Sequence, residues 1–249
     1  MLRSRQSPLI ANQNLSLLKS FADWAVAEQG MESNWFKSIR KLKERKTVSP
    51  KRRPFTRAEV NLLLTTAKAH PKFYQWHDFC MVLLYLGLRP SEAIGLRWSD
   101  VDLTRGEVTI ASALARDEDG RSAGTSRVRK STKAETVRTL DIPPSLLAML
   151  KGKTTVVKPD DLIFTTTRSR PIDDHSFSQR VWKQLCEAAG IPYRVPYASR
   201  HTVLTHGLES GAMTRTQAQY AAGHSDSRSI DAYIHMLQRP KLIDWQQDL

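Results

Sequence analysis

The chain has 249 residues, of which 40% are hydrophobic, so it is long enough for one large or two modest domains with a hydrophobic core. Its 38 lysines and arginines outnumber 25 acidic residues, giving a formal net charge of +13, which indicates a polyanionic partner. No apolar run approaches the roughly 20 residues that span a bilayer, and no apolar signal core follows the basic N-terminus, which argues against membrane and secreted classes.

The two cysteines give the same indication about the compartment. Cys80 and Cys186 lie in apolar helical patterns and lack the spacing of metal ligands. Buried thiols of this kind are typical of reduced cysteines in a cytoplasm. We therefore expect a cytoplasmic protein without a metal site.

The N-terminal segment combines one helix with a strongly basic stretch. Apolar residues at helical spacing predict a helix over 14–28, with Gly30 as its stop. Residues 37–53 then carry nine basic side chains and a single acidic one, Glu44. Such a run is usually a solvated linker. Whether it also binds a partner depends on the function of the domain beside it.

A second folded region begins near residue 54. Thr56 and Glu59 form a capping-box pattern, and Phe55 with Val60 has the spacing of a hydrophobic staple. Helices are predicted at 57–69, 73–87 and 91–97, the last opened by Pro90. Arg89, as the residue before that proline, is expected at a bend between two helices.

The hydrophobic period then changes from helical to alternating. Strands are predicted near 107–112, 125–131 and 136–142, forming a small antiparallel sheet. Helices return near 144–151, 175–189, 199–210, 215–222 and 228–236, with a capping-box pattern at Thr214 and Gln217. The predicted fold class is therefore α+β and mostly α, with a small three-stranded antiparallel sheet.

Four residues form a constellation with its own chemistry: Arg89, Arg200, His224 and Tyr233. A phenol with an unperturbed pKa near ~10 is a poor nucleophile at neutral pH, so it needs cations that stabilise charge on the group it attacks. Arginine stays charged and binds two phosphate oxygens at once, which lets two arginines replace metal ions. The set indicates attack of a phenol on a phosphodiester.

Three motifs carry a family resemblance. They are G-L-R-P-S-E-A-I-G-L-R-W-S-D-V-D at 87–102, R-H-T-V-L-T-H-G-L-E-S-G at 200–211 and G-H-S-D-S-R-S-I-D-A-Y at 223–233. In this order the chain resembles the tyrosine recombinase (phage integrase) family over about 54–240, and weakly over 11–43. The resemblance implies a helical catalytic domain at 54–249, preceded by a partial core-DNA-binding helical segment at 1–46 and a basic linker at 47–53.

The resemblance also implies catalytic roles. Arg89 and Arg200 would grip the scissile phosphate, and His224 would donate a hydrogen bond to it. Tyr233 would attack the phosphorus and become linked to the 3′ phosphate. Lys133, in the turn before the T-V-R-T-L-D-I strand, would protonate the departing 5′ oxygen. Lys130 is the alternative for that last role, and the spacing to the strand favours Lys133.

One position departs from the family pattern. Tyr197 stands where the family usually has a histidine, three residues before the second arginine, which assists proton removal from the nucleophile. Tyrosine can form a hydrogen bond to a phosphate but accepts a proton poorly at pH 7. We expect slower chemistry, because general-base help is typically worth about 10² to 10⁴ in rate.

The resemblance implies a site-specific recombinase or integrase that breaks and rejoins double-stranded DNA, with no metal, ATP or other cofactor. It implies a homotetramer on DNA in the nucleoid, with accessory DNA-bending proteins as candidate partners and no membrane. The basic stretch is then predicted to cross the DNA backbone. Its predicted contacts are Arg40, Lys41, Lys43, Arg45, Lys46, Lys51, Arg52 and Arg53.

Two alternatives stay open at this point. Fewer than 54 residues precede the catalytic domain, where the family commonly has a complete core-binding domain, so the chain is also compatible with a truncated or degenerate integrase that only binds DNA. A topoisomerase that uses the same phosphotyrosine chemistry is the third interpretation. The integrase motifs match this sequence better.

Overall fold

The computed structural model describes residues 7–43, 51, 53–116, 127–131, 137–153 and 157–223. The chain divides into two compact units, Met1–Val48 and Ser49–Leu249. No helix among the described residues is long and apolar enough to cross a membrane.

The first unit contains helix α1, Pro8–Glu28, and a coil that runs back along it. The helix begins earlier than predicted because Ser7 caps it, accepting a hydrogen bond from the Ile10 amide, and Pro8 fits the first helical position. The Asn12 side chain donates to the carbonyl of Leu42 at 2.9 Å and accepts from its amide at 2.8 Å. One amide side chain thus fixes the basic coil beside the helix.

The second unit opens with helix α2, Arg57–Ala69, at the predicted residues. The Thr56 hydroxyl accepts from the Glu59 amide at 3.2 Å, and the Glu59 carboxylate accepts from the Thr56 amide at 2.8 Å. Phe55 and Val60 are both fully buried. The predicted capping box is therefore confirmed, and the two residues of the predicted staple lie in the core.

Helix α3, His77–Leu86, lies at the centre of the second unit, where every side chain from Phe79 onward is buried. A short 3-10 turn, Tyr74–Trp76, precedes it, so the single helix predicted at 73–87 is interrupted. Helix α3 packs against α2, and it ends at Gly87, whose φ of +60° is left-handed and suits glycine. Helix α4, Pro90–Gly95, begins directly after that bend.

The strands form two antiparallel groups. A three-stranded sheet has the order β1 (Val101–Asp102), β2 (Glu107–Ile110) and β5 (Arg138–Asp141), and a separate hairpin pairs β3 (Ser112–Arg116) with β4 (Arg127–Ser131). The mostly helical class with a small three-stranded sheet is confirmed. The strand predicted at 125–131, however, pairs with β3 rather than within that sheet, and the hairpin packs on α4.

The rest of the second unit is helical at the predicted places. Its elements are α5 (Pro144–Gly152), α6 (Asp174–Ser176), a π-helical turn (Phe177–Trp182), α7 (Lys183–Ala188), α8 (Ala198–Glu209) and α9 (Arg215–Ala222). Helix α8 packs between α3 and α9. The Thr214 and Gln217 capping box of α9 is confirmed, whereas the helix predicted at 228–236 lies outside the described residues.

The capping box of α2 leads to a stability test. Replacing Thr56 with alanine removes the acceptor for the Glu59 amide, and we expect the free energy of unfolding to fall by about 1 kcal/mol. The matched control is Thr65→Ala, at an exposed position within the same helix, where alanine favours the helical state. Urea unfolding measures both, and equal midpoints for Thr56→Ala and the native protein would contradict the expectation.

Candidate active site

Two arginines meet where α3 turns into α4. Gly87 makes the bend, and its carbonyl accepts a hydrogen bond at 3.2 Å from Nη1 of Arg200, in the first turn of α8. A side chain at Gly87 would meet the Cβ of Val203 at 3.0 Å. The close approach of α8 to this bend therefore brings Arg200 to Arg89, two residues beyond Gly87 in the sequence.

The carboxylate of Glu92 holds this junction together. Its Oε1 accepts from Arg89 Nη1 at 2.8 Å and from Arg138 Nη1 at 3.3 Å. Its Oε2 accepts from the Arg89 backbone amide at 2.9 Å and from Arg138 Nη2 at 2.7 Å. A single carboxylate therefore fixes both the backbone and the side chain of Arg89, and it also binds an arginine from β5.

The cluster carries more positive charge than its own carboxylate can balance. The side chains of Glu92 and Arg138 are each 1% exposed, residue Arg200 is 1% exposed, and the Arg89 side chain is 34% exposed. Among the described residues, Nη2 of Arg200 has no hydrogen-bond partner. Because buried charges are costly unless paired, this arrangement favours an external anion.

Burial and neighbouring charges shift the pKa values of Arg200 and Glu92 in this cluster. Burial, and then the positive charge of Arg89, lower the pKa of Arg200 to about 10, so it remains charged at neutral pH. Burial alone would raise the pKa of Glu92, yet the Arg138 and Arg89 guanidinium groups hold it below its ordinary value. Glu92 and Arg89, three residues apart in the sequence, form an ion pair at 2.8 Å.

The C-terminal end of α9 contacts the same cluster. Arg89 Nη2 donates to the carbonyl of Gly223 at 3.3 Å, and the Thr139 amide of β5 donates to the Tyr220 hydroxyl at 3.0 Å. Gly223 has a φ of +53°, and a Cβ there would lie 2.7 Å from Nη1 of Arg138. Glycine is therefore required both by the backbone geometry and by the lack of space.

Tyr197 is half-buried at the N-terminus of α8, in the turn before Arg200. Its ring packs edge-on against the ring of His201, with centroids 5.3 Å apart and planes at 74°. A phenolate at Tyr197 would raise the pKa of Arg200, which requires the two side chains to lie close together. The residue that replaces the family histidine thus lies beside the arginine cluster.

The structure brings together three of the six predicted catalytic residues, namely Arg89, Arg200 and Tyr197. Lys133, His224 and Tyr233 lie outside the described residues. Among the predicted DNA contacts, the described ones are exposed in both units: Arg40, Lys41, Lys43, Lys51 and Arg53. The other three also lie outside the described residues: Arg45, Lys46 and Arg52.

Sequence reasoning missed Arg138 as part of this site. It occupies the same face of the alternating β5 strand as Leu140, and both are buried. A charged residue in register with buried apolar positions was the available signal, because it must find a partner in the interior. Over the described parts of the chain, no three His, Cys, Asp or Glu side chains are grouped to hold a metal ion.

Comparison with known proteins identifies the family. Residues 53–239 match the Phage integrase family, and the chain belongs to it. The chain is 30% identical over 175 residues to the tyrosine recombinase XerC-like protein of Caldanaerobacter subterraneus subsp. tengcongensis, covering 62% of this chain and 44% of that protein. It is 26% identical over 248 residues to the putative defective protein IntQ of Escherichia coli, covering 90% and 59% respectively.

The fold is similar to that of a solved structure. The integrase of transposon Tn1549 superimposes with a TM-score of 0.72 at 19% identity, covering 91% of this chain and 78% of that one. The chain spans about half the length of the first two curated relatives, 44% and 59%.

The ion pairs of Glu92 lead to a test of pH dependence. Its pKa in the folded protein lies below the ordinary 4.5, so the stability that it contributes is present above about pH 4.5 and is lost as the pH falls through the folded value. We expect Glu92→Gln to flatten the fall in unfolding free energy below that pH. Denaturant unfolding measured across acid pH checks this.

The control is Glu187→Gln, because the exposed Glu187 carboxylate makes no ion pair among the described residues. It should keep the acid slope of the native protein. Identical slopes for native protein and Glu92→Gln would show that the carboxylate is not held ionised by the two arginines.

Proposed function

We propose that this protein cleaves and rejoins DNA strands through a covalent 3′-phosphotyrosine, as a site-specific recombinase that integrates or excises mobile DNA. The reaction requires neither metal nor ATP, because arginines stabilise the phosphate and the phosphotyrosine keeps the energy of the broken bond. The observation that carries the proposal is that Nη2 of Arg200 has no partner among the residues that the structure describes. It lies in a buried cluster of three arginines and one carboxylate.

The cluster suits a phosphodiester for geometric as well as electrostatic reasons. Arg89 is a third exposed and Arg200 is buried, so an anion reaching Arg89 from solvent approaches a site with excess positive charge. A guanidinium group can bind two oxygens of one phosphate, which orients that phosphate as well as attracting it. Arg89 and Arg200 are therefore the proposed phosphate clamp.

The remaining roles rest on sequence motifs. Tyr233 is the proposed nucleophile, His224 the proposed donor to a phosphate oxygen, and Lys133 the proposed acid for the leaving 5′ oxygen, with Lys130 as its alternative. His224 directly follows Gly223, whose carbonyl accepts from Arg89, and this adjacency supports its assignment to the same site. Tyr197 is proposed to form a hydrogen bond to the phosphate. It would replace only part of the function of the family histidine, because tyrosine accepts a proton poorly.

Double-stranded DNA is the proposed substrate and partner. The net charge of +13 supports this, and the solved structure of the Tn1549 integrase is a complex with a circular intermediate DNA. We propose residues 1–46 as a partial core-binding segment, 47–53 as a linker on the DNA backbone and 54–249 as the catalytic domain. A homotetramer on DNA, bending proteins and a nucleoid location complete the proposal.

A second function, DNA binding without turnover, is favoured by one observation at the site. Tyr197 lies beside Arg200 in the place of a better proton acceptor. Similarity to a protein described as putatively defective points in the same direction. The two functions differ in whether a covalent adduct forms.

Covalent capture separates these functions. Nicked suicide duplexes from a random-sequence pool release a short fragment after cleavage, so an attacking tyrosine stays attached to DNA. We expect the native protein to yield an adduct that survives denaturation, and Tyr233→Phe to yield none. Sequencing the captured strands identifies the target.

The matched control is Tyr74→Phe, which removes the hydroxyl of a tyrosine that is 66% exposed on the turn before α3. It should form adduct at the native rate. Duplex binding without adduct from the native protein would establish the binding-only function. Relaxation of supercoiled plasmid by the protein alone would instead indicate a topoisomerase.

A further inference from the structure

Arg138 is a buried arginine in the cluster that the proposed phosphate clamp does not use. It lies on β5, is 1% exposed, and directs both terminal nitrogens at Glu92, at 2.7 and 3.3 Å. The proposed function uses Arg89 and Arg200 to hold the phosphate and does not require a third arginine. Burying a guanidinium group costs desolvation free energy, so an apolar side chain would stabilise the protein more if the position served only to fill the core.

The contacts of Glu92 show what the third arginine changes. Without Arg138, the carboxylate would pair with Arg89 alone, and the two charges would largely cancel. With Arg138 present, each carboxylate oxygen is shared between an Arg138 nitrogen and a nitrogen of Arg89. Glu92 then orients Arg89 while taking up less of its positive charge.

The count of charges gives a further reason. Counted over the described part of the chain, three guanidinium groups and one carboxylate give the cluster a charge of +2. A phosphodiester carries one negative charge, and attack by a phenolate adds a second, so the pentavalent phosphorus species is dianionic before the 5′ oxygen leaves. The cluster therefore matches the charge of the reacting state better than that of the bound substrate.

Arg138 also contacts the end of α9. A Cβ at Gly223 would lie 2.7 Å from its Nη1, and the next residue of β5, Thr139, donates to the Tyr220 hydroxyl. The β5 strand thus supports both the carboxylate that orients Arg89 and the glycine whose carbonyl Arg89 contacts.

We infer that Arg138 is a positioning residue for strand cleavage, which shares Glu92 with Arg89 so that the site keeps a net charge of +2 for the dianionic reacting phosphate. This inference rests on the proposed function. Arg138 acts through Glu92 and touches no substrate.

The test uses the captured duplexes and the full chain. At saturating DNA, Arg138→Met should slow adduct formation by about 10- to 100-fold, less than the about 10² to 10³ that follows loss of a direct donor. Its DNA affinity should change by less than about threefold, because the bound diester carries only one charge. Arg138→Lys keeps the charge without the planar fork and should be intermediate, and it replaces Arg138→Met if that variant does not fold.

A change of substrate separates electrostatics from a merely structural role. A methylphosphonate at the scissile position removes one negative charge, so the reacting species carries a single charge. Measured at subsaturating DNA, where the rate reports the reacting state relative to free protein and free DNA, the defect of Arg138→Met should then be smaller than on the diester by about threefold or more. An equal defect on both substrates, or native rates for the variant, would overturn the inference.

A second arm does not depend on turnover. Inorganic sulfate, a dianion, should raise the melting temperature of the native protein, with an apparent dissociation constant at least about tenfold weaker in Arg138→Met. Arg105→Met is the matched control, since Arg105 is 64% exposed and pairs with Glu107 away from the cluster. No adduct from the native protein on any duplex would contradict the proposed function and the inference that rests on it, whereas equal sulfate constants in a protein that does form adduct would overturn the inference alone.

Discussion

The carboxylate of Glu92 lies buried between the guanidinium groups of Arg89 and Arg138, and the arrangement of the candidate site depends on these contacts. Glu92 is on the short helix α4, Arg138 is on a strand of the small sheet, and Arg89 stands at the bend between two helices. A buried carboxylate loses much free energy if one partner is removed. The contacts therefore join the sheet to the helical part of the unit, and they hold Arg89 in place while a third of its side chain stays exposed to solvent.

Arg200 adds a further buried guanidinium group to a network that already carries excess positive charge. Its Nη1 is bonded to the carbonyl of Gly87, while its buried Nη2 has no partner among the described residues. An unpaired buried donor costs about 1 to 3 kcal/mol or more, so an anion that bonds to Nη2 would remove an unfavourable contribution. The excess charge, the exposure of Arg89 and the membership in the phage integrase family all agree with an oxyanion as the missing partner.

Much of the fold was predictable because local signals and burial agreed. The capping boxes at Thr56 and Thr214 and the apolar run of α3 each fix an element through contacts within a few residues. Strand pairing was harder to predict, because nothing in the sequence of β4 indicates that its partner is β3. Arg138 was missed for a related reason, since its role comes from a carboxylate 46 positions away that only the tertiary structure brings near.

The central claim is that Arg89 and Arg200 together hold one oxyanion. Crystals of the protein grown with tungstate test it directly, because the anomalous scattering of tungsten locates the ion without ambiguity. The account predicts a peak whose oxygens lie within about 3 Å of Arg200 Nη2 and of the Arg89 guanidinium group. A structure in which Nη2 is bonded to a protein atom, with tungstate bound only elsewhere, would contradict it.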